Sequence, residues 1–283
     1  MSNEPDLFLD TTIVISSLIG APTTRKRISE RLSSAKPCLG LIVFQEFKRR
    51  HLKELAYLHR VSCDVQSIQE VNRRIEKLPP QQQRKARICQ QVVNTIDEQA
   101  DDKDRLERLR LYCLEMLRYG WADVLKRWYL VPFSRCACAR YPIQERKNGQ
   151  FQFGSDMCSK TGNECGIVEF LESKRSLIEK IMEYLGSTPS GTNQGEKSAE
   201  LQRAEEFIRE FLVSSSAVRS KNPCSTVGDL LIALESADVP NFYTKNAKES
   251  QHLCRVLGQT LVVLKSNDEE VICDKNEPQW PKF

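Results

Sequence analysis

The chain has 283 residues, of which 40% are hydrophobic and 28% charged, and its formal net charge is +4. This composition is sufficient for one large or two small domains, and the mild charge does not by itself indicate nucleic-acid binding. No run of about 18 apolar residues is present, which argues against a transmembrane helix. The first residues lack the basic and apolar regions of a signal peptide. The eleven cysteines are therefore expected to be reduced thiols or metal ligands in a cytosolic protein.

A short apolar stretch near the N-terminus ends in an acidic residue. Residues 7–9 have the composition of a buried parallel strand that delivers Asp10 to its carboxyl end, and open α/β sheets bind ligands outside such ends. Thr11 and Thr12 then begin a helix through residues 13–18 and place a hydroxyl beside the carboxylate. The alternative is that Asp10 serves only as a helix N-cap, a position that favours aspartate.

A second acidic residue follows the next predicted strand. The apolar run 38–44 is long enough for a buried strand, and a helix is predicted from residue 45. Glu46 therefore lies at a strand-to-helix junction, although an acid in a first helical turn is also favoured by the helix dipole. The basic run after it consists of Lys48, Arg49, Arg50 and His51. This run is interpreted either as an RNA-backbone contact or as a solvated helix face.

The segment after residue 61 has a different character. Apolar residues recur at helical spacing, and helices are predicted at 67–78, 82–99 and 103–118. This pattern is typical of a helical hairpin or small bundle. Its charged residues are interpreted as a solvated outer face, with RNA contact as the alternative.

Segment 134–166 contains four cysteines in a polar, turn-rich setting, namely Cys136, Cys138, Cys158 and Cys165. Four thiols with little local core are typical of a structural zinc site, because zinc stabilises a segment that hydrophobic burial alone would not fold. The alternative is four reduced cysteines in a loop. Asn148-Gly149 predicts a β-hairpin within the segment, and the run 186–199 is interpreted as a linker.

Two further acids occur in the C-terminal part. The predicted helices there are 166–185, 199–213, 230–237 and 245–257, and the predicted strands are 241–244 and 261–264. Asp229 begins the third of these helices, and Glu249 lies in the first turns of the fourth, which ends at the C-cap glycine Gly258. Thr226 with Asp229, and Asn246 with Glu249, also have the spacing of capping boxes, which is the structural alternative for both acids.

Taken in order, these motifs resemble those of PIN-domain nucleases. The matching residues are Asp10 with its two threonines, Glu46 after the second strand, Asp229 before an apolar, alanine-containing helix, and the Thr-x-Asn-x-x-acid segment 244–249. The similarity covers roughly residues 5–60 and 222–265, under half of the chain. Two features depart from the family: its fourth acid is usually aspartate rather than glutamate, and the insertion between Glu46 and Asp229 is much longer here.

The resemblance implies a three-layer α/β/α sandwich with a central, mainly parallel sheet. The PIN-like domain would comprise residues 1–60 and 200–283. Residues 61–199 would form a helical insertion that carries the zinc site.

The resemblance also implies a catalytic Mg2+ or Mn2+ site whose ligands are Asp10, Glu46, Asp229 and Glu249. Such ions prefer carboxylate oxygens, and one or two of them activate water for phosphodiester hydrolysis. Thr12 would orient Asp10 or a metal-bound water, and Asn246 would hold a phosphate or cap its helix.

The expected function is therefore that of a cytoplasmic endoribonuclease acting on single-stranded RNA. One alternative is a degenerate PIN-like scaffold whose zinc-bearing insertion binds RNA or a protein partner. A weaker alternative is a four-cysteine zinc protein with an α/β core and no catalysis.

Overall fold

The structure is a computed structural model, and it describes residues 5–96, 101–120, 122, 126–131, 143–146, 149–153, 165–187, 199–216, 218, 223–277 and 279–281. Only the backbone is described at Gln152, Ser225 and Glu249. Three of the four predicted zinc ligands, Cys136, Cys138 and Cys158, lie outside the described residues, as does most of the predicted linker.

A six-stranded sheet forms the centre of the protein. Its strands are β1 (Leu7–Leu9), β2 (Pro37–Gly40), β3 (Tyr129–Val131), β6 (Asn241–Thr244), β7 (Thr260–Leu264) and β8 (Glu270–Cys273), in the spatial order β3-β2-β1-β6-β7-β8. The first five are parallel, and β8 pairs antiparallel with β7. A separate antiparallel hairpin joins β4 (Gln144–Glu145) to β5 (Phe151–Gln152). The α/β class and the mainly parallel sheet predicted from the sequence are confirmed.

Thirteen described helices surround or extend this sheet. They are α1 (Thr11–Ile19), α2 (Pro22–Ser33), α3 (Leu41–Phe47), α4 (Lys53–Cys63), α5 (Ile68–Glu76), α6 (Gln83–Thr95), α7 (Asp102–Glu115), α8 (Ile167–Ser173), α9 (Arg175–Ser187), α10 (Ala199–Val213), α11 (Pro223–Thr226), α12 (Gly228–Ser236) and α13 (Ala247–Leu257). π-Helical turns occur at Lys48–Leu52 and Met116–Gly120, and a 3-10 turn occurs at Pro80–Gln82. In the part of the chain that is described, no helix has the length and apolarity to cross a membrane.

The strand order reverses between β1 and β6. The chain leaves β1 through α1 and α2 to reach β2 on one side, and it leaves β6 through α13 to reach β7 on the other. Right-handed crossovers in opposite directions place α1 and α13 on opposite faces of the sheet, which is compatible with a three-layer sandwich. Ligands of such sheets bind at this reversal, outside the carboxyl ends of the strands. Asp10 follows β1 at this position, and Lys245 follows β6.

The buried residues explain why the strands form. Phe8 and Leu9 of β1 and Leu261 and Val262 of β7 are fully buried, as expected for parallel strands covered on both faces. The Phe8 ring also stacks on Phe242 of β6, with ring centroids 5.8 Å apart. The central strands therefore sit in the core and hold their carboxyl ends in a fixed position.

The predicted strand 38–44 is wrong in its second half. The strand β2 ends at Gly40, and α3 begins at Leu41, so Glu46 lies in the second turn of a helix rather than at a strand end. An apolar run of this length fits a buried helix as well as a buried strand, and periodicity alone does not distinguish them. The fully buried Glu235 of α12 accepts a hydrogen bond from the Ile42 amide (2.9 Å) and so caps α3. A Cβ atom at position 40 would overlap that carboxylate, which explains the glycine.

Several predicted elements agree with the structure, and two strands were missed. The strand 241–244 and the helix 199–213 have the predicted bounds, and Gly258 adopts the left-handed conformation expected of a C-cap. The hairpin at Asn148-Gly149 corresponds to β4 and β5. The edge strands β3 and β8 were not predicted, because each is short and at least partly exposed. Strand β3 lies within the segment assigned to the insertion, yet it belongs to the central sheet.

Candidate functional site

The Asp10 carboxylate is buried and held by neutral donors. Its side chain is 7% exposed, and Oδ1 accepts a hydrogen bond from the Thr11 amide at 2.7 Å. Oδ2 accepts from the hydroxyls of Thr12 and Thr244, both at 2.7 Å. The Asp10 amide continues the pairing of β1 with β6 by donating to the Tyr243 carbonyl (3.0 Å). Asp10 is thus the N-cap of α1, but the Thr12 and Thr244 contacts go beyond what a cap requires.

The two threonines are themselves fixed by the backbone after β6. The Lys245 amide donates to the Thr12 hydroxyl (3.0 Å), and the Asn246 amide donates to the Thr244 hydroxyl (2.8 Å). Each hydroxyl therefore accepts a backbone hydrogen bond and directs its own proton to Asp10. This network fixes the Asp10 carboxylate at the point where the strand order reverses.

Glu46 lies beside Asp10 and is held by a hydroxyl and a charge. Its Oε2 atom accepts a hydrogen bond from the Thr11 hydroxyl (2.5 Å), and Oε1 pairs with the Arg50 guanidinium (2.5 Å). Thr11 bridges the two acids, since its amide binds Asp10 while its hydroxyl binds Glu46. The structure therefore brings two of the predicted site residues into one cluster.

The pKa of Glu46 is raised above its ordinary value. Burial is the largest cause, and the neighbouring Asp10 charge also raises the pKa, while Arg50, the Thr11 hydrogen bond and Arg84 lower it. A like charge nearby makes ionisation of both acids costly unless a cation is close. The pair therefore forms a site that favours a bound positive charge, which Arg50 supplies here.

Basic residues of other elements occur close to this acidic pair. Arg84 of α6 lies within electrostatic range of Glu46 and Arg50, and its pKa is lowered first by partial desolvation and next by the Arg50 charge. The pKa of Lys245 is also lowered, chiefly by burial and with a contribution from Arg87. A rim of positive charge around buried carboxylates suits an anionic ligand.

The other predicted site residues are less closely connected to this pair. Asp229 is half-buried in the first turn of α12, whose N-cap residue is Val227. Asn246 is the N-cap of α13, but its side chain makes no capping hydrogen bond. The backbone at position 249 lies in the first turn of α13, directly after the Thr244 network.

The acidic pair supplies only part of the ligands that a metal ion needs. Among the side chains that the structure describes, no group of three or more His, Cys, Asp or Glu residues is placed to hold a metal. Asp229 is thus not part of one group with Asp10 and Glu46. Mg2+ is often held by only one or two carboxylates, together with water and substrate phosphates. Three of about four lone-pair positions of Asp10 accept hydrogen bonds, which leaves one for a cation. Asp10 and Glu46 therefore fit Mg2+ or Mn2+ as a pair.

The basic run after Glu46 is only partly a surface. Lys48 is 1% exposed, and its ammonium lies 5.4 Å from the Phe44 ring centroid, so little of this side chain is accessible for the predicted RNA contact. His51 is fully buried, and burial lowers its pKa to about 3. Both occupy the apolar stripe of the continuous helix formed by α3, the π-helical turn and α4. Arg49 is half-buried, and Arg50 is exposed but paired with Glu46.

The contacts of three residues of the site were not predicted from the sequence. Thr244 and Thr11 bind the two acids, and Glu235 positions the helix that carries Glu46. The Thr-x-Asn pattern contained Thr244, but only its place in space reveals the contact with a residue 234 positions away. A buried glutamate in the apolar run of α12 was the available indication of Glu235.

Comparison with known proteins gave no matching family model, curated protein or solved structure. The resemblance to PIN-domain nucleases therefore depends on the sequence motifs alone.

Proposed function

We propose that the protein is a metal-dependent endoribonuclease with a PIN-like domain, and that Asp10 and Glu46 hold its Mg2+ or Mn2+. The observation that carries this proposal is the buried Asp10–Glu46 pair at the carboxyl end of β1, where the strand order reverses. Paired acids at a ligand-binding edge are costly without a cation, and a structural cap requires only one of them.

The residues around the pair prepare it for this role. Thr12, Thr244 and the Thr11 amide fix the Asp10 carboxylate, so that little reorganisation is needed when a ligand binds. The bound ion would activate water and neutralise charge on the phosphodiester. Arg50 and Arg84 are both exposed and lie within electrostatic range of Glu46, and guanidinium groups of this kind bind phosphate oxygens. Asp229 and Glu249 are proposed as further, water-mediated ligands, and Asn246 as a contact to the neighbouring phosphate.

The proposal also includes a structural zinc ion. Cys165 is half-buried directly before α8. With Cys136, Cys138 and Cys158 it would supply the four thiolates that close a tetrahedral site. Zinc would then order the segment between the hairpin and α8.

One observation favours the alternative of a degenerate scaffold that binds RNA or a protein partner without cleaving. The Arg50 guanidinium already neutralises Glu46 at 2.5 Å, which is the place where a cation would act. In a scaffold, Arg50 would replace the metal permanently. In an enzyme, the cation and Arg50 would compete for Glu46.

The discriminating experiment is cleavage of a labelled single-stranded RNA with Mg2+ or Mn2+. Asp10→Asn is expected to lower the cleavage rate by at least about 100-fold, since even the outer partners of metal ligands are worth 10- to 100-fold. Asp229→Asn is expected to lower the rate less. The matched control is Asp238→Asn, because Asp238 is an exposed partner of Lys174 far along the chain from the pair. Absence of cleavage by the wild type with both ions, or equal cleavage rates for Asp10→Asn and wild type, would refute the proposed ribonuclease activity.

A further inference from the structure

A second concave feature lies next to the acidic pair. A cavity of about 980 Å3 opens between α4, the start of α6 and the β4–β5 hairpin. None of the acids of the candidate site lines it. Its lining does include Arg84, which also lies near Glu46. The cavity is therefore separate from the acidic pair but adjacent to it.

The cavity wall carries more basic than acidic side chains. Five basic residues line it, namely Lys53, Arg60, Arg84, Lys85 and Arg146, and its acidic residues are Glu54 and Asp64. The acids are already engaged, because Asp64 pairs with Arg74 (3.7 Å) and Glu54 lies within electrostatic range of three of the basic residues. The excess of positive charge suits a ligand that carries several negative charges.

Aromatic side chains are interleaved with these charges. Tyr57 lies in the wall, with the Lys85 ammonium 3.6 Å and the Arg60 guanidinium 5.8 Å from its ring centroid. On the opposite side, Phe151 of the hairpin packs edge-on against His59, with centroids 6.2 Å apart. Flexible Lys and Arg side chains can leave a ring face when a phosphate attracts them. The ring then becomes available for stacking.

One helix connects the cavity to the acidic pair. The segment 41–63 is continuously helical, and Glu46, Arg50, Lys53, Tyr57 and Arg60 recur on it at intervals of three or four residues. Residues at such intervals share one face of a helix. At 1.5 Å per residue, Tyr57 lies about 16 Å from Glu46 along the axis. That distance corresponds to about five stacked nucleotides at 3.4 Å each.

We propose that this cavity binds the nucleotides of single-stranded nucleic acid that flank the scissile phosphate. The inference rests on the proposed nuclease function for the identity of the acidic pair. A basic groove with aromatic faces is the combination by which proteins bind single strands, since the charges follow the phosphates and the rings stack on bases. The face of α4 then serves as a track that leads the strand from the cavity to Asp10 and Glu46.

A duplex fits this site poorly. The bases of a double helix stay stacked inside it, so proteins read double-stranded RNA mainly through phosphates and 2′-hydroxyls. Aromatic residues inside a concave wall contribute nothing to that mode of binding. The structure thus favours unpaired strands, and RNA and DNA single strands share the chemistry that it recognises.

The test measures binding separately from cleavage. Fluorescence anisotropy with a labelled ten-nucleotide single strand in EDTA reports affinity while the acidic pair is inactive. The probes are RNA and DNA of the same sequence and the corresponding RNA duplex. The cavity variants are Tyr57→Leu, Arg60→Gln and Lys85→Gln, and the matched controls are Tyr129→Leu, Arg209→Gln and Lys26→Gln, whose side chains are exposed outside the cavity.

The expected result is a specific loss of single-strand affinity. Tyr57→Leu should weaken binding by roughly 5-fold or more, the lower limit for losing one stacked base. Arg60→Gln and Lys85→Gln should each weaken it about fourfold at 0.15 M salt and reduce the salt slope by about 0.7. The controls should bind like the wild type, and the duplex should bind more weakly than either single strand. The DNA probe decides whether a 2′-hydroxyl contributes.

Each contrary outcome has a defined meaning. If all three cavity variants bind like the wild type, or if the duplex binds as tightly as the single strand, the cavity is not the single-strand site. Because Arg60 is exposed, Arg60→Gln keeps the test valid even if Tyr57→Leu fails to fold. Binding without any cleavage in Mg2+ or Mn2+ would refute the nuclease but leave the cavity assignment intact. Cleavage by the wild type, together with unaltered affinity in all three cavity variants, would support the nuclease but refute the cavity assignment.

Discussion

Asp10 and Glu46 are neighbouring carboxylates, but different kinds of group hold them. Asp10 accepts three hydrogen bonds, from two threonine hydroxyls and one backbone amide. Glu46 accepts one hydroxyl hydrogen bond and pairs with the charged side chain of Arg50. The donors to Asp10 belong to β6 and α1, whose positions the sheet fixes. The guanidinium of Arg50, in contrast, is at the end of a flexible side chain at an exposed position.

The difference assigns separate roles to the two acids. Neutral donors stabilise the Asp10 charge without competing with a cation, because hydroxyls and amides carry no net charge. A guanidinium competes directly with any cation at Glu46. In the proposed metal site, Asp10 would therefore be the permanent part, and the charge of Glu46 would be exchangeable between Arg50 and the ion.

The pH dependence of stability separates Glu46 from His51, which is buried five residues further along the same helix. Burial raises the pKa of Glu46, so the folded state binds the proton of this carboxyl more tightly than the unfolded state does. Glu46 therefore stabilises the fold at low pH. This contribution is lost as the pH rises through the pKa of Glu46 in the folded state. Burial lowers the pKa of His51 from 6.5 to about 3, so His51 destabilises the fold as the pH falls below 6.5. The contribution of Glu46 to stability thus decreases as the pH rises, whereas the contribution of His51 decreases as the pH falls.

His51→Leu should therefore produce the largest change in stability. Between pH 6.5 and 4.5, His51 is expected to cost the wild type roughly 1 kcal/mol of unfolding free energy for each pH unit, and the variant should avoid this cost. Neither ring nitrogen has a hydrogen-bond partner among the described residues, so the variant should be at least as stable at pH 7. Urea unfolding at several pH values measures both effects.

The control for this prediction is His252→Leu. The His252 pKa is lowered by burial too, but its ring is less enclosed and contacts the Tyr184 hydroxyl at 3.3 Å. His252→Leu should reduce the pH dependence of the unfolding free energy much less than His51→Leu does. Identical pH profiles for His51→Leu and wild type would show that a neutral, buried His51 is not responsible for acid sensitivity.

The threonines test whether Asp10 is the more firmly held acid. Thr244→Val removes a buried donor to Asp10 and the acceptor of the Asn246 amide, so unfolding free energy should fall by about 2 kcal/mol. Thr11→Val removes one hydrogen bond to Glu46 and should cost about 1 kcal/mol. Thr23→Val, at an exposed contact with Asp268, is the control and should cost less than either. A larger loss of unfolding free energy in Thr11→Val than in Thr244→Val would show that Glu46, and not Asp10, is the more firmly held acid.

The regions of the molecule differ in how far the sequence predicted them. Strand 241–244, the helix after it and Gly258 were predicted correctly because clear turn residues bound a short apolar run. The run 38–44 carries no such boundary: the strand ends at Gly40, where Glu235, almost two hundred residues later, caps the following helix and occupies the space a side chain would need. Contacts between distant residues of this kind leave no local pattern.

Lys48 and His51 show a different limit. Their charges indicated a surface, yet they lie at helical spacing within the buried stripe that includes Phe44, Leu55 and Leu58. The helical spacing of the apolar residues indicated correctly that these two positions are buried. The interpretation of the run followed the charges instead. The site followed the same division, since Asp10 could be placed from its strand, whereas the place of Glu46 depends on a helix that begins at Leu41 and not at residue 45 as predicted.

Arg50→Gln addresses the exchangeable charge directly. The Arg50–Glu46 pair is partly exposed, so solvent screening limits its contribution, and its loss should lower the unfolding free energy by only about 1 kcal/mol without divalent ions. If a cation and Arg50 compete for Glu46, Mn2+ should raise the melting temperature more in the variant than in the wild type, because a ligand of the folded state stabilises it in proportion to its occupancy.

The control Arg209→Gln breaks an exposed ion pair with Glu205 on α10 and should respond to Mn2+ like the wild type. A scaffold in which Arg50 permanently replaces the metal predicts another result: the variant would lose stability, and Mn2+ would restore none of it. Adding Asp10→Asn to Arg50→Gln completes the comparison. If the gain from Mn2+ survives in that double variant, the ion binds elsewhere, and Asp10 is not the permanent part of the site. If the gain disappears, both acids hold the same ion, and the guanidinium is the group that it displaces.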